Sequence, residues 1–358
     1  MSKRNPKFLI SLVLILAVIA TSIVYFTRSS DNPDLTAARE AIARREFQQA
    51  GELLNNYLLT HPDDKTIRLL AAQTARRRGD LITALTLVTK CQEQSGPNEP
   101  VELELRLLRL QQGKLAEAST LIATYANQPE APETPIVMEA VAVGILNKLA
   151  PTETAPNSLS HEAVPLLKQA GQAADLWLKL RPNRADQVVG HLWRGRVHVL
   201  EGNQKDGVAE LRKALEIDQD NASVRFLLAS VIAQADPAEA ASHLTILLNS
   251  NPNDEQVAFR LATAYRGLGR LDEAERLLDQ MLSVNPKEIS VLVERGLVAM
   301  DRSRLAEADR FLSQAFKLAP NVPEVNLALS QYMQLRGDTA KVKEYRDRFD
   351  RLEAAKKK

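Results

Sequence analysis

The sequence predicts an all-α chain, a stack of helical hairpins behind one apolar N-terminal helix. Three observations predict it. Asn-Pro or a close equivalent recurs at Pro252, Pro286 and Pro320, each 34 residues after the last. Apolar residues make up 45% of the 358 but aromatics only 4%, and this Ala- and Leu-rich balance suits close-packed helices better than sheets. Phe8–Phe26, a run of 19 residues, carries no charge.

That run comes first in the chain. It approaches the ~20 apolar residues a helix needs to span a bilayer. A cleaved signal usually has a shorter apolar core followed by a small-x-small site, and the nearest such pair, Ala20 and Ser22, lies inside the run. The expectation is an uncleaved transmembrane anchor over 8–26, with a cleaved signal or a buried core helix as alternatives. The basic flank 1–7 holds Lys3, Arg4 and Lys7, whereas Arg28, Asp31 and Asp34 follow the run. The positive-inside tendency then leaves the N-terminus cytoplasmic and the body outside the cytoplasm, periplasmic if the cell is bacterial.

The body keeps one phase. Between the prolines stand an apolar-periodic helix, a Gly-type turn and a second helix such as "LDEAERLL", Leu271–Leu278. A proline stops one helix and a glycine turn separates the next two, which makes a helical hairpin. Small residues recur at one phase as Ala50, Ala84, Ala118, Ala240, Ala274 and Ala308. Residues 31–125 read as three hairpins and 188–322 as repeats five to eight. The stretch 323–358 reads as a capping unit with a charged second helix and a Lys tail. A terminal unit has no neighbour to cover its outer face, so that charge is expected. Residues 126–187 are irregular: "ANQPEAPETP" and "APTETAPNSLS" put two Pro-rich breaks into 126–160. They form either an expanded surface loop or a hinge between two blocks.

A helical hairpin of 34 residues with these small positions resembles the tetratricopeptide repeat. The resemblance covers residues 31–352 and implies a right-handed α-solenoid whose small residues sit at close helix contacts. It also implies that the first helix of each hairpin lines a concave wall that binds protein or peptide segments. Carried onto this chain, the fifth repeat position holds Leu35, Leu69, Leu103, Leu192, Phe226, Phe259, Val293 and Leu327. Arg39, Arg76, Arg77, Arg196, Arg266, Gln331 and Gln334 stand around that ladder. Apolar pockets beside planar donors suit an extended or helical peptide, although some of these residues can instead pack between helices. The chaperone-tail-binding variant needs Lys, Asn and Asn where this chain has Leu35, Arg39 and Leu70, and that departure argues against such a ligand.

Little else offers chemistry. Lys plus Arg is 46 against 45 for Asp plus Glu, so no global field draws nucleic acid. Cys91 is the only cysteine and occupies a packing position. His191 and His198 lie seven apart with no third ligand evident, a spacing that suits packing better than zinc. "RRRGD", Arg76–Asp80, reads as an ordinary inter-helix turn. With no nucleotide, hydrolase or metalloprotease motif, the expectation is a non-enzyme without cofactor, metal or catalytic residues. It would be a membrane-tethered scaffold for envelope assembly, secretion or export. The alternative is a substrate-recruiting co-chaperone or accessory subunit that hands polypeptides to a separate enzyme or translocon.

Overall fold

A computed structural model of the chain describes residues 32–96, 98–149, 163–181 and 183–356. Among them there are eighteen α-helices and no strand. No helix among the described residues is long and apolar enough to cross a membrane. The Phe8–Phe26 run and the spacer 150–160 lie outside them.

The chain divides at Gly202–Asn203 into two compact units. The first holds α1 (Pro33–Ala43), α2 (Phe47–Thr60), α3 (Lys65–Arg78), α4 (Leu81–Ser95) and α5 (Glu99–Gln111). A 3-10 turn, Leu115–Glu117, then leads into α6 (Ala118–Ala126), α7 (Thr134–Leu149), α8 (Ala163–Leu180) and α9 (Arg184–Leu200). The second unit holds α10 (Gln204–Ile217), α11 (Ala222–Ile232), α12 (Pro237–Ser250), α13 (Glu255–Gly267) and α14 (Leu271–Val284). It ends with α15 (Ile289–Asp301), α16 (Leu305–Leu318), α17 (Pro323–Leu335) and α18 (Thr339–Lys356).

The 34-residue period has a hydrogen-bonded cause. Asn251, Asn285 and Ala319 each cap a helix end, donating to Leu247, Met281 and Ala315 at 3.0, 2.9 and 2.9 Å. The prolines that follow have no N–H and cannot extend the helix. Two residues after Pro252, the Asp254 carboxylate accepts from Val257 N at 3.0 Å and starts α13. Asn32, Asp64, Asn98, Asn183 and Asn221 cap first helices in the same way.

Turns inside the hairpins share another device. Gly79, Gly113, Gly269 and Gly337 all have positive φ. Gly269 donates to Arg266 O at 2.9 Å and Arg270 to Tyr265 O at 2.8 Å, which satisfies carbonyls that α13 leaves open. Arg45 (φ 63°) and Ser303 (φ 59°) take the same conformation without being glycine.

The six alanines of the repeated small position, Ala50, Ala84, Ala118, Ala240, Ala274 and Ala308, are all fully buried. Around the irregular stretch one apolar cluster runs from Leu107 to Leu200 and packs α5 to α9 together. A Cβ on Gly144 of α7 would stand 2.6 Å from Leu110 O of α5, so two first helices touch backbone to backbone there. The short α6 permits this approach, since it is only nine residues long against 14 or 15 in α2 and α4.

Candidate protein-binding faces

In the second unit, α13 touches α15 and α15 touches α17, more closely than the second helices touch one another. First helices therefore form the inner wall of this unit. Along it Phe259, Leu297, Met300 and Leu327 are half-buried, and Leu335 is exposed. These side chains leave apolar surface facing outward from a packed base. Thr263 and Gln331, on the same helices, are exposed.

Arg266 is half-buried at the edge of this wall and already paired. Its Nε lies 2.6 Å from Glu294 Oε1 and its Nη1 3.3 Å from Asp301 Oδ2. Burial lowers its pKa, but the two carboxylates outweigh this and raise it above the usual arginine value. Phe226 and Val293, expected on the wall, are largely withdrawn from it, at 7% and 8% exposure. The Arg260 guanidinium lies over the Phe226 ring, 5.1 Å from its centroid. Phe226 and Val293 are thus buried, while Phe259 and Leu327 keep accessible surface.

The first unit differs. Leu35 is 1% exposed and packs with Leu54, Tyr57 and Ile67. Leu69, Leu103, Leu192 and Arg196 are half-buried, and Arg39 is exposed. Arg76, expected as a peptide donor, is 1% exposed, and its Nε meets Glu104 Oε1 at 2.6 Å. Both are shut off from any partner. Arg76 Nη1 and Nη2 and Glu104 Oε2 have no partner among the described residues. Burial pushes the Glu104 carboxyl above the usual range, more than Arg76 pulls it back.

Beside that pair lies a network the sequence did not suggest. Glu139 on α7 accepts from Arg45 Nη2 at 2.5 Å and from Arg77 Nε at 2.7 Å. Arg45 also reaches Asp186 on α9 at 3.1 Å, and Arg181 meets the other oxygen of Asp186 at 2.7 Å. Arg77 and Arg45 stack on the Phe47 ring, at 4.4 and 5.1 Å. Trp177 Nε1 donates to Asp186 O at 2.9 Å, and its ring lies edge-on to Trp193 at 5.2 Å. Burial alone would raise the Glu139 pKa, but Arg77, Arg45 and Arg76 together hold it below the usual carboxylate range. The network ties the α1–α2 turn and the end of α3 to α7 and α9.

No group of three His, Cys, Asp or Glu among the described residues is placed to hold a metal ion. Cys91 is buried, and its thiol pKa is raised by that burial. His191 and His198 are half-buried, with His198 Nδ1 3.4 Å from Glu201.

Residues 35–98 and 231–292 each match a family model described as tetratricopeptide repeat. These stretches are tetratricopeptide repeats. No curated protein matches the chain. Among solved structures, the repeats resemble YrrB, titled a TPR protein with an unusual peptide-binding site, at 19% identity and a TM-score of 0.42. That match covers 56% of this chain and 95% of YrrB. A MamA protein matches at 19% identity and a TM-score of 0.42, over 53% of this chain and 93% of its own. MamA from Desulfovibrio magneticus RS-1, residues 41 to end, matches at 14% and 0.40, covering 48% and 97%.

Proposed function

We propose that the chain is a non-enzymatic scaffold whose tetratricopeptide repeats hold partner polypeptides at a membrane. The observation that carries this reading is the half-buried apolar strip on the inner wall of the second unit. Phe259, Leu297, Met300 and Leu327 are held on packed helices yet keep accessible surface. Preformed apolar surface of this kind binds a peptide without first ordering itself. The two acids on Arg266 fix its guanidinium at the edge, so it contributes orientation more than free charge.

The tether is proposed from the sequence. The uncharged run Phe8–Phe26 and its basic flank support a single span with the body outside the cytoplasm. Cell-envelope assembly, secretion or export are the settings that fit such a layout.

Phe259→Ala tests the wall, and alkaline extraction of membranes tests the tether. Partner capture by the full chain should weaken by roughly tenfold or more, as for a buried aromatic anchor, with little change in the melting curve. The chain should stay in the membrane pellet at alkaline pH. An unchanged capture would move binding off this wall, and release into the supernatant would remove the anchor.

A further inference from the structure

A second groove lies elsewhere, between second helices α6 and α8 of the first unit, with α7 as its floor. It has a volume of about 820 Å³. One wall is a single stripe of α6 that includes Ile122, Ala123 and Ala126. The other follows α8 from Pro165 to Lys179, four turns or about 21 Å of helix. Met138 closes the bottom and is fully buried. The groove exists because α6 stops at Ala126 while α8 runs for 18 residues, so the neighbouring second helix is too short to cover it.

Its charges are asymmetric. Lys168 and Lys179 line it, both exposed and neither in an ion pair with any described residue. They are eleven residues apart, three turns along one face of α8. The one carboxylate among the described lining residues, Asp175, is held by Arg194 at 3.0 Å. Gln169 Oε1 is shielded from solvent and accepts no hydrogen bond among the described residues. An apolar trough with two cations unpaired among the described residues and a waiting acceptor complements an apolar stripe flanked by acids. The Ala123 and Ala126 side chains are small enough to let a helix backbone come close.

We propose that this groove docks an acidic amphipathic helix of a partner protein, separately from the inner wall of the second unit. The proposal does not depend on that wall binding anything. Its length suits about 14 residues of helix, and the lysines select acids spaced three turns apart.

The test is a titration of the full chain with a labelled helical peptide of about 15 residues, carrying an Ala/Leu stripe and two Glu three turns apart. A second peptide has Lys in place of both Glu. The acidic peptide should bind, the basic one should not, and added salt should weaken the complex. Lys168→Glu with Lys179→Glu should weaken the acidic peptide by about tenfold or more and let the basic peptide bind, since rim charges act mainly through complementarity. A merely unfolded variant would lose both. Absence of binding by the acidic peptide, or binding indifferent to the charge reversal, overturns the proposal. So does dimerisation of the chain in sedimentation that the charge reversal abolishes, which would assign the groove to a second copy. Peptide binding seen only after removal of residues 151–160 would assign it to that segment and overturn it as well.

Discussion

Among the described residues, two carry conformations their side chains do not favour. Ser303 sits at φ 59° in a turn where most equivalent positions are glycine, and its side chain makes no hydrogen bond among the described residues that would offset the strain. Ser303→Gly should raise stability by about 0.5–1 kcal/mol, read as a shift of the denaturation midpoint. Arg45 takes the same conformation and would not behave so, because it joins Glu139 to Asp186. Glu139 is the node of that network. Its folded pKa lies below the unfolded value of about 4.3. Its stabilisation is therefore complete above that pH and is lost as pH falls through the folded value. Glu104 has the opposite sign: its raised pKa makes the folded state lose stability as pH rises from the unfolded to the folded value. Glu139→Gln should cost about 3 kcal/mol or more near neutral pH, since it leaves buried guanidiniums short of charge. It should also flatten the loss of stability that sets in as pH falls below about 4.3, the unfolded value. Urea unfolding followed by tryptophan fluorescence checks both, because the only two tryptophans, Trp177 and Trp193, lie in the first unit. The network was not legible in the sequence, where 94 and 141 residues separate Arg45 from its two acids. Pattern reading sees neighbours along a helix and sees nothing at such range.

At the scale of elements, the sequence announces hairpins well wherever proline, capping residue and turn glycine fall in phase. It announces α7 and α8 poorly. There the period fails, and what replaces it is a backbone contact between α5 and α7 that only a glycine allows. Gly144→Ala should destabilise the chain by about 1–3 kcal/mol, because the atom it would meet is backbone and cannot swing away. Gly267→Ala, on α13 with nothing within 4 Å of the added Cβ, should instead stabilise by about 0.5–1 kcal/mol. Thermal melts of the two variants separate a glycine needed for packing from one that is merely tolerated. The fifth repeat position shows the same limit. Its apolar character was plain, but whether Phe226 or Phe259 faces outward depends on how far each helix rolls against its neighbours. Burial decided that, not spacing.

At the scale of the whole molecule, the chain offers two units with different inner surfaces. In the first, arginines and acids at 15% side-chain exposure or less meet across α1 to α9. In the second, the corresponding helices leave an apolar strip accessible. This strip is where partners are proposed to bind. Site-specific photo-crosslinking in cells tests it most directly, with the photoreactive residue placed in turn at Thr263, Gln331 and Gln280. All three positions are exposed, but only Thr263 and Gln331 lie on first helices, whereas Gln280 lies on α14. Binding on the strip should give discrete polypeptide adducts from Thr263 and Gln331 and none of the same mass from Gln280. Adducts from Gln280 alone, or equally from all three, would contradict it.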